Sequence, residues 1–276
     1  MENPPLQGKR LFLLDMDGTI YLDDCLFDGT VDFLDYVRQI GGKYLFLTNN
    51  SSRSVEAYIE KLARLGIASE KDDFLTSVDA LVIYLAQHGY RDKLLYAFGT
   101  ASFRAQLSDA GFSVTDRRSD DVQALVCGFD TELTFQKLED ACILLGRGVD
   151  FIAANPDWVC PTWYGYVPDC GSVCEMLFRA TGRRPVFIGK PQPEMALLAM
   201  ERYGFSAAET LLIGDRVYTD IACAVHAGVD AALVLSGEST LEDVRRNAEK
   251  PTHIFENIRA VLTALQEGEH IHEAKL

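Results

Sequence analysis

Basic residues are scarce in this chain of 276 residues. Lysine and arginine together number 26 against 41 aspartates and glutamates, so the net charge is −15 at pH 7. A nucleic-acid binder needs a basic surface that offsets the phosphate backbone, and the sequence shows no basic stripe. The composition therefore argues against a nucleic-acid polymer as a partner.

Paired metal-ligating cysteines and long apolar runs are also missing. The seven cysteines are scattered, and the nearest pair, Cys170 and Cys174, lacks the second Cys or His pair of a zinc site. No apolar run approaches the ~18 residues of a membrane span. The opening segment MENPPLQGKR contains no apolar stretch of the secretory type. We expect reduced thiols, no membrane partner and a cytoplasmic location.

Short apolar runs alternate with segments of helical periodicity along most of the chain. RLFLLD and KYLFLT have the pattern of buried strands, and GTVDFLDYVRQIGG and SVEAYIEKLARLG that of helices ended by glycine. The alternation returns late, where PVFIG, TLLIGD and AALVLS are predicted core strands between helices. The middle of the chain, roughly residues 77 to 185, is also α/β in pattern. This order predicts an α/β fold with a doubly wound parallel sheet covered on both faces.

One segment of the middle region has no clear period. PDWVCPTWYGYVPDCG contains three prolines and both tryptophans of the chain, and this composition predicts a structured loop.

Polar residues follow the predicted core strands at their carboxyl ends. Open α/β sheets place their ligand sites at these ends, where neighbouring strands meet at one edge. Each of these residues is, on its own, an ordinary cap, turn or surface residue. Their joint occurrence at strand ends favours a catalytic site made of Asp15, Asp17, Thr48, Asn49, Lys190, Asp215 and Asp220.

The carboxylates of this set fit a metal-assisted reaction at phosphorus. Asp15, Asp17 and Asp215 would supply hard oxygen ligands suited to Mg²⁺, and the ion would offset the repulsion between neighbouring carboxylates. It would also supply the local positive charge that a phosphate ester needs to approach an anionic protein. One aspartate can attack phosphorus to form an aspartyl-phosphate. Its neighbour can protonate the leaving oxygen and later activate water.

The remaining polar residues fit supporting roles. Lys190 would offset charge on the nucleophile and on the phosphoryl group, while Thr48 and nearby backbone amides would hold the transferring oxygens. We expect Asn49 to contact the substrate as well. Asp220 fits a position behind the metal ligands, where it would orient Lys190 or a metal-bound water.

Four segments, DMDGT, LTNNSS, GKPQPEM and GDRVYTDI, resemble the four signature motifs of the haloacid dehalogenase superfamily. Their local forms are similar to the NagD-like and 4-nitrophenylphosphatase branch. The resemblance implies a Rossmann-like catalytic core of residues 1–77 and 186–276. It also implies that residues 78–185 are an inserted α/β cap domain that selects the substrate.

The resemblance also implies individual roles. Asp15 is the nucleophile, and Asp17 is the acid/base, which binds Mg²⁺ through its backbone carbonyl. Asp215 is a metal ligand, Lys190 is the lysine of the third motif, and Thr48 is the phosphate binder of the second. An acid two residues after the nucleophile favours phosphatase over dehalogenase chemistry. After DGTIYL, the acidic DDCLFDGT departs from the Gly- or Pro-marked turn usual in the family, so the shape of the flap at residues 21–29 is not predicted.

The sequence therefore predicts a Mg²⁺-dependent phosphatase of small phosphomonoesters, of the nucleotide, sugar, phosphoglycolate, pyridoxal phosphate or 4-nitrophenyl phosphate type. Phosphotransfer on sugar phosphates, as in a mutase, is the enzymatic alternative. A non-catalytic binding protein on the same fold is the other, and the four complete motifs argue against it. The absence of membrane spans excludes an ion pump that forms an aspartyl-phosphate.

Aromatic residues of the cap are candidates for substrate selection. They could stack on an aromatic leaving group such as a nucleobase, pyridoxal or nitrophenyl ring. Equally, they could pack within the cap or at a cap–cap interface of a homodimer. The four candidates are Trp158, Trp163, Tyr164 and Tyr166.

Overall fold

The computed structural model describes residues 6–162 and 164–273, with side chains described as far as residue 267. The chain divides into two compact units. The first comprises Met1–Leu47, Lys61–Leu75 and Pro191–Leu276, and the second comprises Thr48–Glu60 and Thr76–Lys190. The core and cap limits expected from the sequence, at residues 77/78 and 185/186, stay a prediction.

Strands and helices alternate along the chain, as the sequence predicts. The strands are β1 (Leu11–Leu14), β2 (Tyr21–Leu22), β3 (Cys25–Leu26), β4 (Lys43–Thr48), β5 (Phe74–Thr76), β6 (Leu94–Phe98), β7 (Ser113–Thr115), β8 (Val122–Cys127), β9 (Asp150–Ala153), β10 (Val159–Thr162), β11 (Gly165–Pro168), β12 (Val186–Phe187), β13 (Thr210–Gly214), β14 (Asp230–Val234) and β15 (His253–Phe255). The helices are α1 (Thr30–Gln39), α2 (Val55–Arg64), α3 (Ser77–Gln87), α4 (Ala101–Asp109), α5 (Phe135–Gly146), α6 (Cys170–Thr181), α7 (Glu194–Tyr203), α8 (Ala222–Ala227), α9 (Leu241–Arg246) and α10 (Ile258–Glu273).

The first unit is built on a sheet with the strand order β15-β14-β13-β1-β4-β5. The pairs β15–β14, β14–β13, β13–β1 and β1–β4 are all parallel. All four residues of β1 are buried, which explains why Leu11–Leu14 is apolar throughout and does not alternate with polar residues. The central position of β1 brings its carboxyl end between those of β13 and β4.

The second unit has its own parallel sheet, in the order β12-β9-β8-β6-β7. The α/β class with parallel sheets is therefore confirmed. The strand predicted at PVFIG is real but its expected place in the core is wrong, because β12 pairs with β9 of this second sheet. A short apolar run predicts a strand, whereas the sheet that it joins depends on its partner, here Ile152 beside Val186.

Two short hairpins occur where the sequence predicts no regular structure. β10 and β11 pair antiparallel, so the segment expected to be a structured loop is a β-ribbon. The alternation typical of strands was not visible in this segment, because prolines occupy some of the strand positions. An isolated two-stranded ribbon tolerates prolines at such positions. β2 and β3 form the other hairpin, which defines the flap after DGTIYL. Asp23 at its turn has a positive φ of 49°, a conformation that aspartate tolerates better than most residues.

Among the helices that the structure describes, none combines the length and the apolar character needed to cross a membrane.

Candidate active site

Asp15 and Asp215 lie at the carboxyl ends of two neighbouring parallel strands. Asp15 follows β1, and its backbone N–H donates to the carbonyl of Ile213 over 2.9 Å, which extends the pairing with β13 by one residue. Asp215 follows β13 directly. The rigid strands therefore deliver both carboxylates to one edge of the sheet, as the sequence predicts.

A third carboxylate, from Asp220, joins these two. Carboxylate oxygens of Asp15, Asp215 and Asp220 all lie within 4.8 Å of one another, and we call this set the carboxylate cluster. Asp220 reaches it because a π-helical turn, Val217–Ile221, folds the chain back immediately after β13. Its Oδ2 accepts a 3.0 Å hydrogen bond from the Arg216 N–H, which fixes the turn.

Asp215 is fully buried and electrostatically strained. Its Oδ2 accepts a 2.6 Å hydrogen bond from the Glu238 N–H. Its Oδ1, by contrast, is a buried oxygen for which the described part of the chain offers no hydrogen-bond partner. Burial, and then the Asp220 carboxylate, raise the pKa of Asp215 well above its usual range. A carboxylate in such surroundings favours either a bound proton or a bound cation.

The donor set fits a hard divalent cation. Three carboxylates at short range, one with an orphaned buried oxygen, match the all-oxygen ligation that Mg²⁺ prefers. The backbone also approaches Asp215 closely, since a Cβ placed on Gly18 would lie 2.5 Å from Asp215 Oδ2. The structure thus brings Asp220 next to Asp15 and Asp215, and its expected role behind the metal ligands stays a prediction.

A loop after β14, residues 236–239, completes the surroundings of Asp215. Ser236 Oγ donates to the Gly18 carbonyl over 2.7 Å, and the Ser239 N–H donates to the Asp215 carbonyl over 3.1 Å. Glu238 pairs with Arg216 at 2.8 Å. This loop was not predicted to be functional from the sequence. The sequence feature that could have indicated it is the segment SGES, a turn sequence at the carboxyl end of a predicted core strand.

Asp17 has different neighbours from Asp15. Tyr21 donates its hydroxyl to Asp17 Oδ2 over 3.4 Å, and Lys61 Nζ lies 3.7 Å from Asp17 Oδ1. The same ammonium lies 3.6 Å from the centroid of the Tyr21 ring, a cation–π contact. Lys61, a buried lysine of α2, was also not identified from the sequence. The sequence feature that could have indicated it is a basic residue beside the apolar face of a predicted helix.

Asn49 and Lys190, both in the second unit, are joined by hydrogen bonds. Asn49 Nδ2 donates to the Lys190 carbonyl over 2.9 Å and to Asp157 Oδ1 over 2.8 Å, and its Oδ1 accepts from the Lys190 N–H over 2.9 Å. The carboxamide therefore clamps the backbone of Lys190, a residue that is almost completely buried. Contact between Asn49 and a substrate stays a prediction. Thr48 ends β4, and its Oγ1 accepts from the Asn50 N–H over 3.1 Å.

The aromatic candidates of the cap are exposed where they are described. Trp158, Tyr164 and Tyr166 are 50%, 65% and 61% exposed, respectively, so none of them belongs to the buried core of the second unit. Trp163 lies outside the described residues.

Comparisons with known proteins agree over nearly the whole chain. A model of haloacid dehalogenase-like hydrolases matches residues 12–113, and a HAD-hydrolase-like model matches residues 187–261. An acid sugar phosphatase of Staphylococcus aureus is 31% identical over 261 residues, which cover 95% of this chain and 100% of the relative.

Two solved structures are similar in fold and in sequence. A 4-nitrophenylphosphatase from Thermotoga maritima has a TM-score of 0.88 at 35% identity and covers 95% of this chain and 99% of its own. A glycerol phosphate phosphatase from Mycobacterium tuberculosis, in complex with magnesium, has a TM-score of 0.86 at 31% identity and covers 93% of this chain and 77% of its own. The expected resemblance to the NagD-like and 4-nitrophenylphosphatase branch is confirmed.

Proposed function

We propose that this chain, which belongs to the haloacid dehalogenase-like hydrolases, is a Mg²⁺-dependent phosphatase of small phosphomonoesters. The chain is a hydrolase of phosphoric monoesters. The observation that carries the metal and the mechanism is the carboxylate cluster at the strand ends, in which Asp15 faces two buried carboxylates.

The names of the relatives support the substrate class. Acid sugar phosphatase, glycerol phosphate phosphatase and 4-nitrophenylphosphatase are names for enzymes that act on phosphate esters of small alcohols or phenols. We infer the same class for this chain, with sugar phosphates and glycerol phosphate as the first compounds to assay and 4-nitrophenyl phosphate as a chromogenic substrate.

The carboxylate cluster supports Mg²⁺ as the cofactor. Asp15 and Asp215 would hold the ion together with the backbone carbonyl of Asp17, and Asp220 lies close enough to share in its ligation or to orient its waters. When bound, Mg²⁺ would neutralise the carboxylates and draw electron density from the phosphoryl oxygens. The related glycerol phosphate phosphatase was solved in complex with magnesium, which agrees with this assignment.

The chemistry would proceed on the protein's own carboxylates. The Asp15 carboxylate attacks phosphorus and forms an aspartyl-phosphate, while Asp17 gives its proton to the leaving alkoxide. Asp17 then takes a proton from the water that hydrolyses the intermediate. Lys61 and Tyr21 hold the Asp17 carboxyl in place for both transfers. The Thr19 hydroxyl, 3.4 Å from Asp15 Oδ2, limits rotation of the nucleophile.

Lys190 and Thr48 would bind the transferring phosphoryl group. A lysine ammonium offsets the charge that develops on the phosphoryl oxygens, and a threonine hydroxyl donates a hydrogen bond to one of them. The clamp from Asn49 to the backbone of Lys190 would fix the point from which this side chain extends.

Replacement of the nucleophile tests the proposal. Asp15→Asn should lower kcat for 4-nitrophenyl phosphate by at least about 10⁴-fold while the thermal midpoint changes little, because a neutral amide cannot form the acyl phosphate. Asp35→Asn, at an exposed position of α1, is the matched control and should retain full activity. Near-normal turnover by Asp15→Asn would refute the nucleophile assignment.

Metal and product analysis test the remaining parts. Activity should vanish in EDTA and return when Mg²⁺ is restored. With a sugar phosphate, inorganic phosphate and free sugar should be the products. Formation of an isomeric sugar phosphate would instead indicate the mutase alternative.

A further inference from the structure

Three cysteine sulfurs meet in the core of the second unit. Cys127 ends β8, while Cys170 and Cys174 lie one turn apart at the start of α6. The Sγ atom of Cys170 is 3.8 Å from that of Cys127 and 4.0 Å from that of Cys174. All three sulfurs lie within 4.8 Å of one another. The separation of 43 residues between Cys127 and Cys170 hides this group in the sequence.

The spacing of the sulfurs fits a three-coordinate site. A metal–sulfur bond of about 2.3 Å places three sulfurs about 4.0 Å apart in a planar site, and about 3.5 Å apart in the pyramidal site of an ion that keeps a lone pair. The sulfurs of Cys127 and Cys174 lie 3.8 and 4.0 Å from that of Cys170, so a small contraction of the trio would bring it to this spacing. Within the described residues, the group contains no fourth His, Cys, Asp or Glu, so the tetrahedral ligation usual for structural zinc is not available.

The surroundings favour an ion whose complex carries no net charge. The three thiols, each with an exposure of at most 1%, are buried in an apolar cluster that includes Phe98 and Leu177. Hydrogen bonds among the three thiols shift their pKa values in both directions, and burial then contributes to holding all three well above the ordinary value. Three thiolates with a divalent ion leave one negative charge in this apolar site, and with a monovalent ion they leave two. A trivalent ion leaves none, which avoids the penalty of a buried charge.

We propose that Cys127, Cys170 and Cys174 form a binding site for a trivalent, thiophilic ion of the arsenic(III) class. With arsenous acid as the donor, As(OH)₃ and three R–SH groups give As(SR)₃ and three water molecules. Three As–O and three S–H bonds break, while three As–S and three O–H bonds form. Arsenic stays in the +3 state, so the step needs no oxidant or reductant.

The site formed by the three cysteines differs in its ligand chemistry from the carboxylate cluster. Thiolate sulfur selects soft ions, whereas carboxylate oxygen selects Mg²⁺ and other hard ions. The two sets would therefore take different ions from the same solution. The proposal stands on the sulfur geometry and on the apolar surroundings of the three thiols, and it is independent of the phosphatase assignment.

Native mass spectrometry of the arsenite-treated protein tests the proposal. The chain is first reduced with a trialkylphosphine, which leaves no competing thiol, and arsenite is then added. The expected adduct gains one arsenic and loses three hydrogens, the signature of three As–S bonds. Ligation by only two thiols would instead add AsOH and remove two hydrogens. Because the site is buried, the protein is also refolded from urea in the presence of arsenite, which removes the barrier to entry.

Cysteine variants locate the site. Cys174→Ala and Cys127→Ala should each lose the three-hydrogen adduct. Cys142→Ala is the matched control, because Cys142 packs against the same apolar cluster but its sulfur is outside the trio, and it should keep the adduct. The thermal midpoint should rise with arsenite in the wild type and in the control, but not in the other two variants.

Three outcomes would overturn the proposal. One is the absence of any adduct in the wild type by both routes. Another is an adduct in the wild type that lacks only two hydrogens. The third is an unchanged three-hydrogen adduct in Cys174→Ala or its loss in Cys142→Ala. The wild-type mass measurement decides the matter even if an alanine variant fails to fold.

Discussion

Gly18→Ala would separate the geometry of the carboxylate cluster from the stability of the chain. Gly18 has a φ of +91°, and a Cβ at this position would lie 2.5 Å from Asp215 Oδ2 and 2.8 Å from its Cγ. The substitution therefore has two effects: strain in the backbone and a collision with a buried carboxylate. Because Asp215 is held at Oδ2 by the Glu238 N–H, the collision displaces it from its hydrogen bond.

The two effects have different magnitudes and different readouts. Alanine held in the left-handed conformation of Gly18 should lower the free energy of unfolding by about 1–2 kcal/mol. Ordinary contact begins at 3.4 Å, so the carboxylate must move by 3.4 − 2.5 = 0.9 Å. A displacement of about 1 Å in a catalytic group lowers the rate about 10²-fold, which corresponds to about 2.7 kcal/mol in the activation barrier.

Two other glycines provide matched controls. Gly66 has a similar φ of +86°, and no atom lies within 4 Å of the point that an added methyl would occupy, so Gly66→Ala should carry the strain without the collision. At Gly237 a Cβ would also collide with Asp215, but the backbone is not left-handed, so Gly237→Ala should carry the collision without the strain. Urea unfolding reports the first effect, and kcat/KM for 4-nitrophenyl phosphate reports the second.

The pattern across the three variants decides the outcome. Gly66→Ala should be destabilised with a normal kcat/KM, whereas Gly18→Ala and Gly237→Ala should each lose about 10²-fold or more in kcat/KM. If Gly18→Ala keeps kcat/KM within about threefold of Gly66→Ala, the close approach to Asp215 does not position the cluster and the reasoning is wrong.

Three further predictions concern stability. Burial and a neighbouring carboxylate raise the pKa of Asp215 to about 7, so in EDTA the native state keeps a proton that the unfolded chain releases near pH 4. The free energy of unfolding should therefore fall as the pH rises from about 4 to about 7. Urea titrations should show this slope in the wild type and not in Asp215→Asn. Lys137→Met removes the partner of the fully buried Asp130 side chain and should lower the free energy of unfolding by about 3 kcal/mol, whereas Lys93→Met, in an exposed pair, should lower it by less than about 1 kcal/mol. Asn49→Ala deletes three buried hydrogen bonds and should lower the free energy of unfolding by about 2 kcal/mol. The same variant should have a lower kcat, because the backbone of Lys190 is no longer clamped. An unchanged kcat in the folded variant would contradict the clamp's catalytic importance.

The fold was predictable from the sequence as far as local pattern determines it. The run Leu11–Leu14 and the YLFL part of the segment KYLFLT are continuous apolar stretches, as expected for strands of a parallel sheet buried on both faces. The sheet that β12 joins was not predictable, because pairing between β12 and β9 depends on contacts outside either segment. The β10–β11 ribbon was missed because its prolines mask the alternation.

The candidate site was predictable where residues follow strands and was missed where contacts cross the chain. Asp15 and Asp215 were found because parallel neighbours end at one edge. The close approach of Asp220 depends on a π-helical turn, which has no clear sequence signal. Lys61 lies on a helix 44 positions after Asp17, and only the folded chain brings the two together.

The different neighbours of Asp15 and Asp17 explain how two carboxylates one residue apart can do different work. Met16 between them is fully buried, so the chain at this point is fixed on the core and the two flanking side chains are held apart. Asp15 faces Asp215 and Asp220, a concentration of negative charge that only a cation or protons can offset. Asp17 lies outside this cluster, with the Lys61 ammonium 3.7 Å from its Oδ1 and the Tyr21 hydroxyl 3.4 Å from its Oδ2. The carboxylates that favour a cation are therefore those of the carboxylate cluster, and the proposed mechanism uses Asp17, with its separate partners, for proton transfer.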